Sequence, residues 1–178
     1  MDFKTAISSL LRSFEAQSIR YGLMGGFALG LWGVTRSTVD LDFLVHRDDL
    51  GRIDAVMKEL GYDCRFRSEN VSQFVSPLRI FGEVDFLHAF RQTSLEMLSR
   101  AEKKNIFGNE MSIKVLLPED LIGLKLQAIK NDPLRKEQDA ADIRALCTLR
   151  RGKLDLQLLR QYGEILDARE LLRECVEL

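Results

Sequence analysis

Along residues 2–19, apolar side chains recur at helical spacing (Phe3, Ile7, Leu10, Leu11 and Phe14) and predict an amphipathic helix. The period then changes. Residues 21–24 read as a short apolar strand, 26–33 as an apolar helix, and 39–45 as a strand alternating hydrophobic with acidic positions. Asp48-Asp49-Leu50 opens a helix through Ile53, Val56, Met57 and Leu60 that Gly61 closes. Strand-like runs follow at 62–67, 73–81 and 83–88, where Pro77 marks an edge or an interruption. A helix is expected over 92–103. Ile106-Phe107 and residues 111–115 look like a hairpin turning at Gly108-Asn109. After Pro118 the chain reads as helix to its end, in about four pieces. Strands first and helices last predict an α+β fold: a mixed sheet of about five strands flanked by helices over 1–116, and a C-terminal helical region over 117–178.

The strand at 39–45 carries the most telling pattern. Side chains alternate across a strand, so Asp40 and Asp42 leave one face about 7 Å apart, two strand rises, while Val39, Leu41, Phe43 and Val45 take the other and read as core. Two carboxylates so placed repel and are costly to desolvate. A divalent cation removes that cost, and Mg²⁺ favours a few carboxylates together with substrate phosphates. Taken alone, the pair reads more readily as the wet face of an edge strand. The preceding segment tips the balance, because Gly25-Gly26 lies at a strand-to-helix turn where backbone can approach a phosphate closely. Arg36-Ser37-Thr38 gives the acidic strand a polar approach. His46 shares the face of Asp40 and Asp42 but reads better as a strand-end polar residue, and His88 should point away from Asp85. Phe27, Leu31 and Trp32 read as packing residues.

Gly25-Gly26, thirteen intervening residues and then Asp40-Leu41-Asp42-Phe43 resemble the signature of the polymerase-β-like nucleotidyltransferase superfamily. The form Arg36, Thr38, Asp40, Asp42 is most similar to its small prokaryotic members of the abortive-infection and toxin–antitoxin type. The resemblance implies a nucleotidyltransferase-like fold and a third carboxylate on a later strand, which Asp85 fits, with Glu83 on the same face as a weaker candidate. It implies Asp40, Asp42 and Asp85 as catalytic residues and ligands of Mg²⁺ or Mn²⁺. Gly25, Gly26, Arg36, Thr38, Lys125 and Asp142 are implied as nucleotide-binding residues, and Asp139 less directly. From residues alone, Lys125 also reads as a lysine snorkelling from an apolar helix, and Asp139 and Asp142 as surface acids balanced by Arg135 and Arg144. The implied reaction moves a nucleoside monophosphate from an NTP to an acceptor hydroxyl on RNA, tRNA or protein. A cognate antitoxin or toxin is the implied protein partner, and an aminoglycoside acceptor is a third reading. The alternative from another class is a non-catalytic nucleotide- or partner-binding regulator that keeps the fold.

Composition narrows this little. The 178 residues are 46% hydrophobic, enough for one core and a helical appendage. No apolar run approaches the ~20 residues of a membrane span, and the N-terminus lacks a signal peptide's apolar stretch. Three scattered cysteines, Cys64, Cys147 and Cys175, suggest neither a disulfide framework nor a zinc site, so a reducing cytoplasm is expected. With 26 basic against 27 acidic residues, no overall basic excess marks a nucleic-acid binder. A local one runs through Lys130, Arg135, Lys136, Arg144, Arg150, Arg151 and Lys153. No nucleophilic Ser, Cys or His constellation is present, which suits in-line phosphoryl chemistry.

Overall fold

The computed structural model describes residues 1–175. The chain divides into two compact units, one of residues 1–28 with 37–116 and one of residues 29–36 with 117–178.

In the first unit, α1 (Phe3–Ala16) begins where the Asp2 carboxylate accepts the Thr5 N–H at 3.1 Å. Its buried stripe of Ala6, Ile7, Leu10 and Phe14 rests on the sheet. The Phe14 ring lies 5.6 Å from Phe43 and 6.2 Å from Phe86, the aromatic centre of the core. The helix ends at Ala16, short of residue 19, where Ser18 turns into the left-handed region at φ 49.

The strands are β1 (Tyr21–Met24), β2 (Asp40–His46), β3 (Asp63–Arg67), β4 (Val71–Val75), β5 (Glu83–Ala89), β6 (Glu102–Ile106) and β7 (Met111–Val115). They form one mixed sheet in the order β3-β4-β5-β2-β1-β7-β6. The α+β expectation holds, but the sheet has seven strands where about five were expected. The strand runs read from the sequence all join it, β3 where 62–67 was expected, and the hairpin pair β6–β7 brings the count to seven. The two edges, β3 (DCRFR) and β6 (EKKNI), are exposed or mostly so. β6 begins on residues 102–103, expected to end a helix, because α4 (Gln92–Arg100) stops at Arg100. The run expected at 73–81 is strand only to Val75, ahead of Pro77. Val39, expected in the core, precedes β2 and is 78% exposed, whereas Leu41, Phe43 and Val45 are fully buried. Leu44, on the acidic face, is buried as well.

Two further helices belong to this part of the chain. α2 (Gly25–Leu31) follows β1 directly, and α3 (Leu50–Glu59) packs Ile53, Val56 and Met57 into the core. Before α3, Asp49 is wholly buried and is gripped by the guanidinium groups of Arg20 and Arg52. Burial opposes its ionisation, but hydrogen bonds from Arg20 and Arg52 prevail and hold its pKa down at about 2.

The second unit is helical after residue 117: α5 (Pro118–Asn131), α6 (Lys136–Leu149), α7 (Leu156–Ile165) and α8 (Arg169–Cys175). Pro118 fills the first turn of α5, where its missing N–H costs nothing. Gly123 on α5 is required by packing, since an added Cβ would stand 2.9 Å from the Tyr162 ring of α7. The Tyr162 hydroxyl donates to the buried Asp120 carboxylate at 2.5 Å. Trp32 is buried in this unit, with the Arg150 guanidinium 5.0 Å above its ring. No helix among the described residues is long and apolar enough to cross a membrane.

Candidate active site

β2 and β5 run parallel and pair Asp42 with Asp85 and Asp40 with Glu83. Residues paired across adjacent strands face the same way, so four carboxylates share one face of two neighbouring strands, about 5 Å apart across the strands and 7 Å along them. Unscreened like charges at such distances repel. Accordingly, among the described residues no three His, Cys, Asp or Glu side chains are drawn to metal-ligand spacing. The acids share a face and a row without meeting at a point.

The glycine pair makes room for this arrangement. Gly25 has φ +67, and a Cβ there would overlap the Asp42 carboxylate and stand 2.8 Å from the Asp42 Cβ. Only glycine both adopts that backbone readily and leaves Asp42 its space. A Cβ at Gly26 would lie 2.7 Å from Thr38 Oγ1. The Thr38 hydroxyl in turn donates to Asp40 Oδ1 at 2.8 Å and fixes that carboxylate. Each glycine thus makes room for one residue of the acidic segment, Gly25 for Asp42 and Gly26 for Thr38.

Asp85 is held differently. Gln73, its partner on antiparallel β4, donates from Nε2 to Asp85 Oδ2 at 3.0 Å. Asp85 Oδ1 is buried and has no hydrogen-bond partner. Burial raises the Asp85 pKa above the ordinary carboxylate value; the Gln73 hydrogen bond opposes this, and the charges of Glu83 and Asp40 add to the rise. A buried, unsatisfied carboxylate oxygen beside further acids suits a hard cation with oxygen ligands. The oxygen donors on this face are of the kind that Mg²⁺ or Mn²⁺ takes.

His46 and His88 lie outside this chemistry. His46 Nδ1 accepts the Asp48 N–H at 3.2 Å as a strand-end cap. His88 is buried on the opposite face, between the Ser72 hydroxyl at 3.1 Å and the Glu69 carbonyl at 3.0 Å.

The second unit holds another acidic pair. Asp139 and Asp142 on α6 are 1% and 4% exposed, so they are not the surface acids that residue type alone suggested. Lys125 Nζ reaches both, 2.7 Å from Asp139 Oδ1 and 2.6 Å from Asp142 Oδ2, and does not snorkel to solvent. Asp142 is paired with Arg36, and Asp139 with Arg135 at 3.0 Å; Arg144 is no part of this network. Burial pushes the Asp139 pKa up, but the hydrogen bonds from Lys125 and Arg135 outweigh it and the net shift is downward. Lys125, Arg36 and Arg135 thus converge on two buried carboxylates. The Arg-x-Thr-x-Asp segment thus divides its duties: Arg36 serves this network and Thr38 serves Asp40.

Residues 9–174 match the family described as nucleotidyl transferase AbiEii toxin, type IV toxin–antitoxin system. The chain belongs to this family. It is accordingly a nucleotidyltransferase of the polymerase-β-like superfamily, as the glycine pair and the Asp-x-Asp strand suggested. AbiEii membership brings an NTP substrate and a toxin–antitoxin setting with it. Solved structures agree on the fold. The antibiotic-resistance factor ANT(2″)-Ia is 16% identical, with 98% of this chain and 97% of that chain covered at a TM-score of 0.70. The lincosamide antibiotic adenylyltransferase LnuA, lincomycin-bound, is 15% identical over 82% of this chain and 96% of its own, at 0.59. An antigenic nucleotidyltransferase-like protein from Paracoccidioides brasiliensis is 19% identical over 98% and 94%, at 0.58. No curated protein matches the sequence.

Sequence reasoning missed Gln73. A glutamine in a strand carries no signal of its own; only the pairing of β4 with β5 places it beside Asp85.

Proposed function

We propose that this AbiEii-family chain transfers a nucleoside monophosphate from an NTP to an acceptor hydroxyl and releases pyrophosphate. The observation that carries the reading is the row Asp42–Asp85 on parallel strands, with Gly25 at positive φ yielding its space to Asp42. A divalent cation, Mg²⁺ or Mn²⁺, supplies charge compensation for the triphosphate and for the pyrophosphate that leaves. Asp40, Asp42 and Asp85 would hold such cations, and Thr38 keeps Asp40 in place. The Gly25-Gly26 backbone lies against the phosphates.

Gln73 fixes one oxygen of Asp85, and Asp85, through the second cation it would help to hold, favours deprotonation of the acceptor hydroxyl. The hydroxyl oxygen then bonds to the α-phosphorus as the bond from that phosphorus to the bridging oxygen breaks, and the electron pair departs with pyrophosphate. Lys125 and Asp142, with Arg36, serve the nucleotide. The acceptor is RNA, tRNA or protein, the setting is cytoplasmic, and a cognate antitoxin restrains the activity, with phage defence as the biological outcome.

The test is incubation with each of four α-labelled NTPs, Mg²⁺ and total cellular RNA or lysate. Label carried to a macromolecule by the wild type and lost in Asp42→Asn supports the reading. Equal transfer by Asp42→Asn sinks it.

A further inference from the structure

The carboxylate face of the sheet extends beyond β1. Leu23 pairs with both Phe43 and Val115, and all three are fully buried on the opposite face. By the period of two, Met24 and Asp42 share the other face with Lys114 and Ser112 of β7. Leu116 places itself likewise, packing against Gly22. The ladder continues to β6, where Lys103 pairs with Lys114 and Asn105 with Ser112. All four side chains are exposed.

Like charges directly opposite on neighbouring strands are destabilising. The acids nearest in sequence do not relieve this pair, since Glu110 is engaged by Lys4 and Glu96 by Arg100. Glu102 pairs with Val115 and so belongs to the other face. Lysine on an edge strand guards against strand addition, which accounts for Lys103. Lys114 has no such duty, because β7 is bonded on both sides, to β6 and to β1.

We infer that Lys103, Asn105, Ser112 and Lys114 form a strip that binds the backbone of a single-stranded RNA acceptor beside the carboxylates. The inference rests on the transferase reading above and names its acceptor. Lys114 lies two strand spacings from β2 and level with Leu44, so it is on the order of 12 Å from Asp42, about the reach of two nucleotides. The two lysines neutralise phosphates, while the amide and hydroxyl one step along the ladder suit phosphate or 2′-hydroxyl groups. A polycationic acceptor meets repulsion here instead. The adenylyl-tobramycin seen with ANT(2″)-Ia is of that kind.

The experiment uses the full chain and a fluorescein-labelled 12-nucleotide oligoribonucleotide of mixed sequence, followed by anisotropy at several salt concentrations. Lys103→Gln/Lys114→Gln should bind about 10-fold more weakly, with a salt slope smaller by about 1.4, two contacts at 0.7 each on a single strand. Lys153→Gln, an exposed lysine of the second unit, should bind as the wild type does. The strip variant should melt no lower than the wild type, because it relieves a like-charge pair. Unchanged oligonucleotide affinity in the strip variant overturns the inference. So does NTP-dependent labelling of tobramycin, or of a lysate protein, that the variant leaves undiminished. Failure of wild-type transfer to every acceptor would instead count against the transferase reading, and the binding result would still stand by itself.

Discussion

The two units each bury acids, and they treat them oppositely. In the helical unit, Asp139 and Asp142 are saturated by Lys125, Arg36 and Arg135. In the sheet unit, Asp40 and Asp85 receive hydrogen bonds only from the neutral Thr38 and Gln73, and Asp85 keeps an unpartnered buried oxygen. The shifts record the contrast: the Asp139 pKa falls below the ordinary carboxylate value and that of Asp85 rises above it, although burial pushes both upward. A compensated buried acid holds helices together. An uncompensated one waits for a ligand, and its cost is the mark of function.

That contrast can be broken by mutation, and the largest effect belongs to chemistry. Asp42→Asn should lower nucleotide transfer by about 10³-fold or more with little change in melting, read by label transfer and circular dichroism. Asp85→Asn should be equally inactive, yet melt at or above the wild-type temperature because it removes a strained charge. Next comes stability. Asp142→Ala leaves Lys125 and Arg36 without a shared buried partner and should cost about 3 kcal/mol in urea unfolding. If Asp85→Asn destabilised as much as Asp142→Ala, the two clusters would not differ in kind. Gly25→Ala should cost about 1–2 kcal/mol for its left-handed backbone, and it should also displace Asp42 and depress activity.

The smallest effects are those of pH and of Gln73. Asp49, Asp139 and their arginines stabilise the fold wherever these acids are ionised. Because both folded pKa values are depressed, the contribution is full above the unfolded value near 3.8 and is lost as pH falls, for Asp49 down to about 2. Asp85 has the opposite sign, so Asp85→Asn should narrow the stability gap with wild type as pH drops below the raised value. Gln73→Leu should reduce transfer about 10-fold while leaving NTP affinity unchanged, a kcat loss measured by single-turnover labelling.

How much of this the sequence reveals follows from where each signal lives. The Gly25-Gly26 and Asp40-Leu41-Asp42 pattern is local, and strand periodicity places both aspartates on one face before any fold is known. Asp85 needed family resemblance to single it out and the β2–β5 register to place it beside Asp42. Lys125, Asp139 and Asp142 were visible as candidates, but their burial was not, because a charged residue on an amphipathic helix is usually wet. The edge strand β6 was underrated for a related reason: a mostly exposed strand has little core face to pattern, so its first residues read as the end of a helix. Val39 fell to the opposite error, an apolar residue in phase with the core yet one step outside the ladder.

The central claim is that the carboxylates of β2 and β5, and not those of α6, hold the divalent cation. Mn²⁺ titration followed by electron paramagnetic resonance, with a non-hydrolysable NTP present, tests it directly. The wild type and Asp139→Asn should bind Mn²⁺ alike, whereas Asp42→Asn and Asp85→Asn should lose binding about 10-fold or more. Undiminished Mn²⁺ binding by both sheet variants, or its loss only in the helical one, would contradict the account.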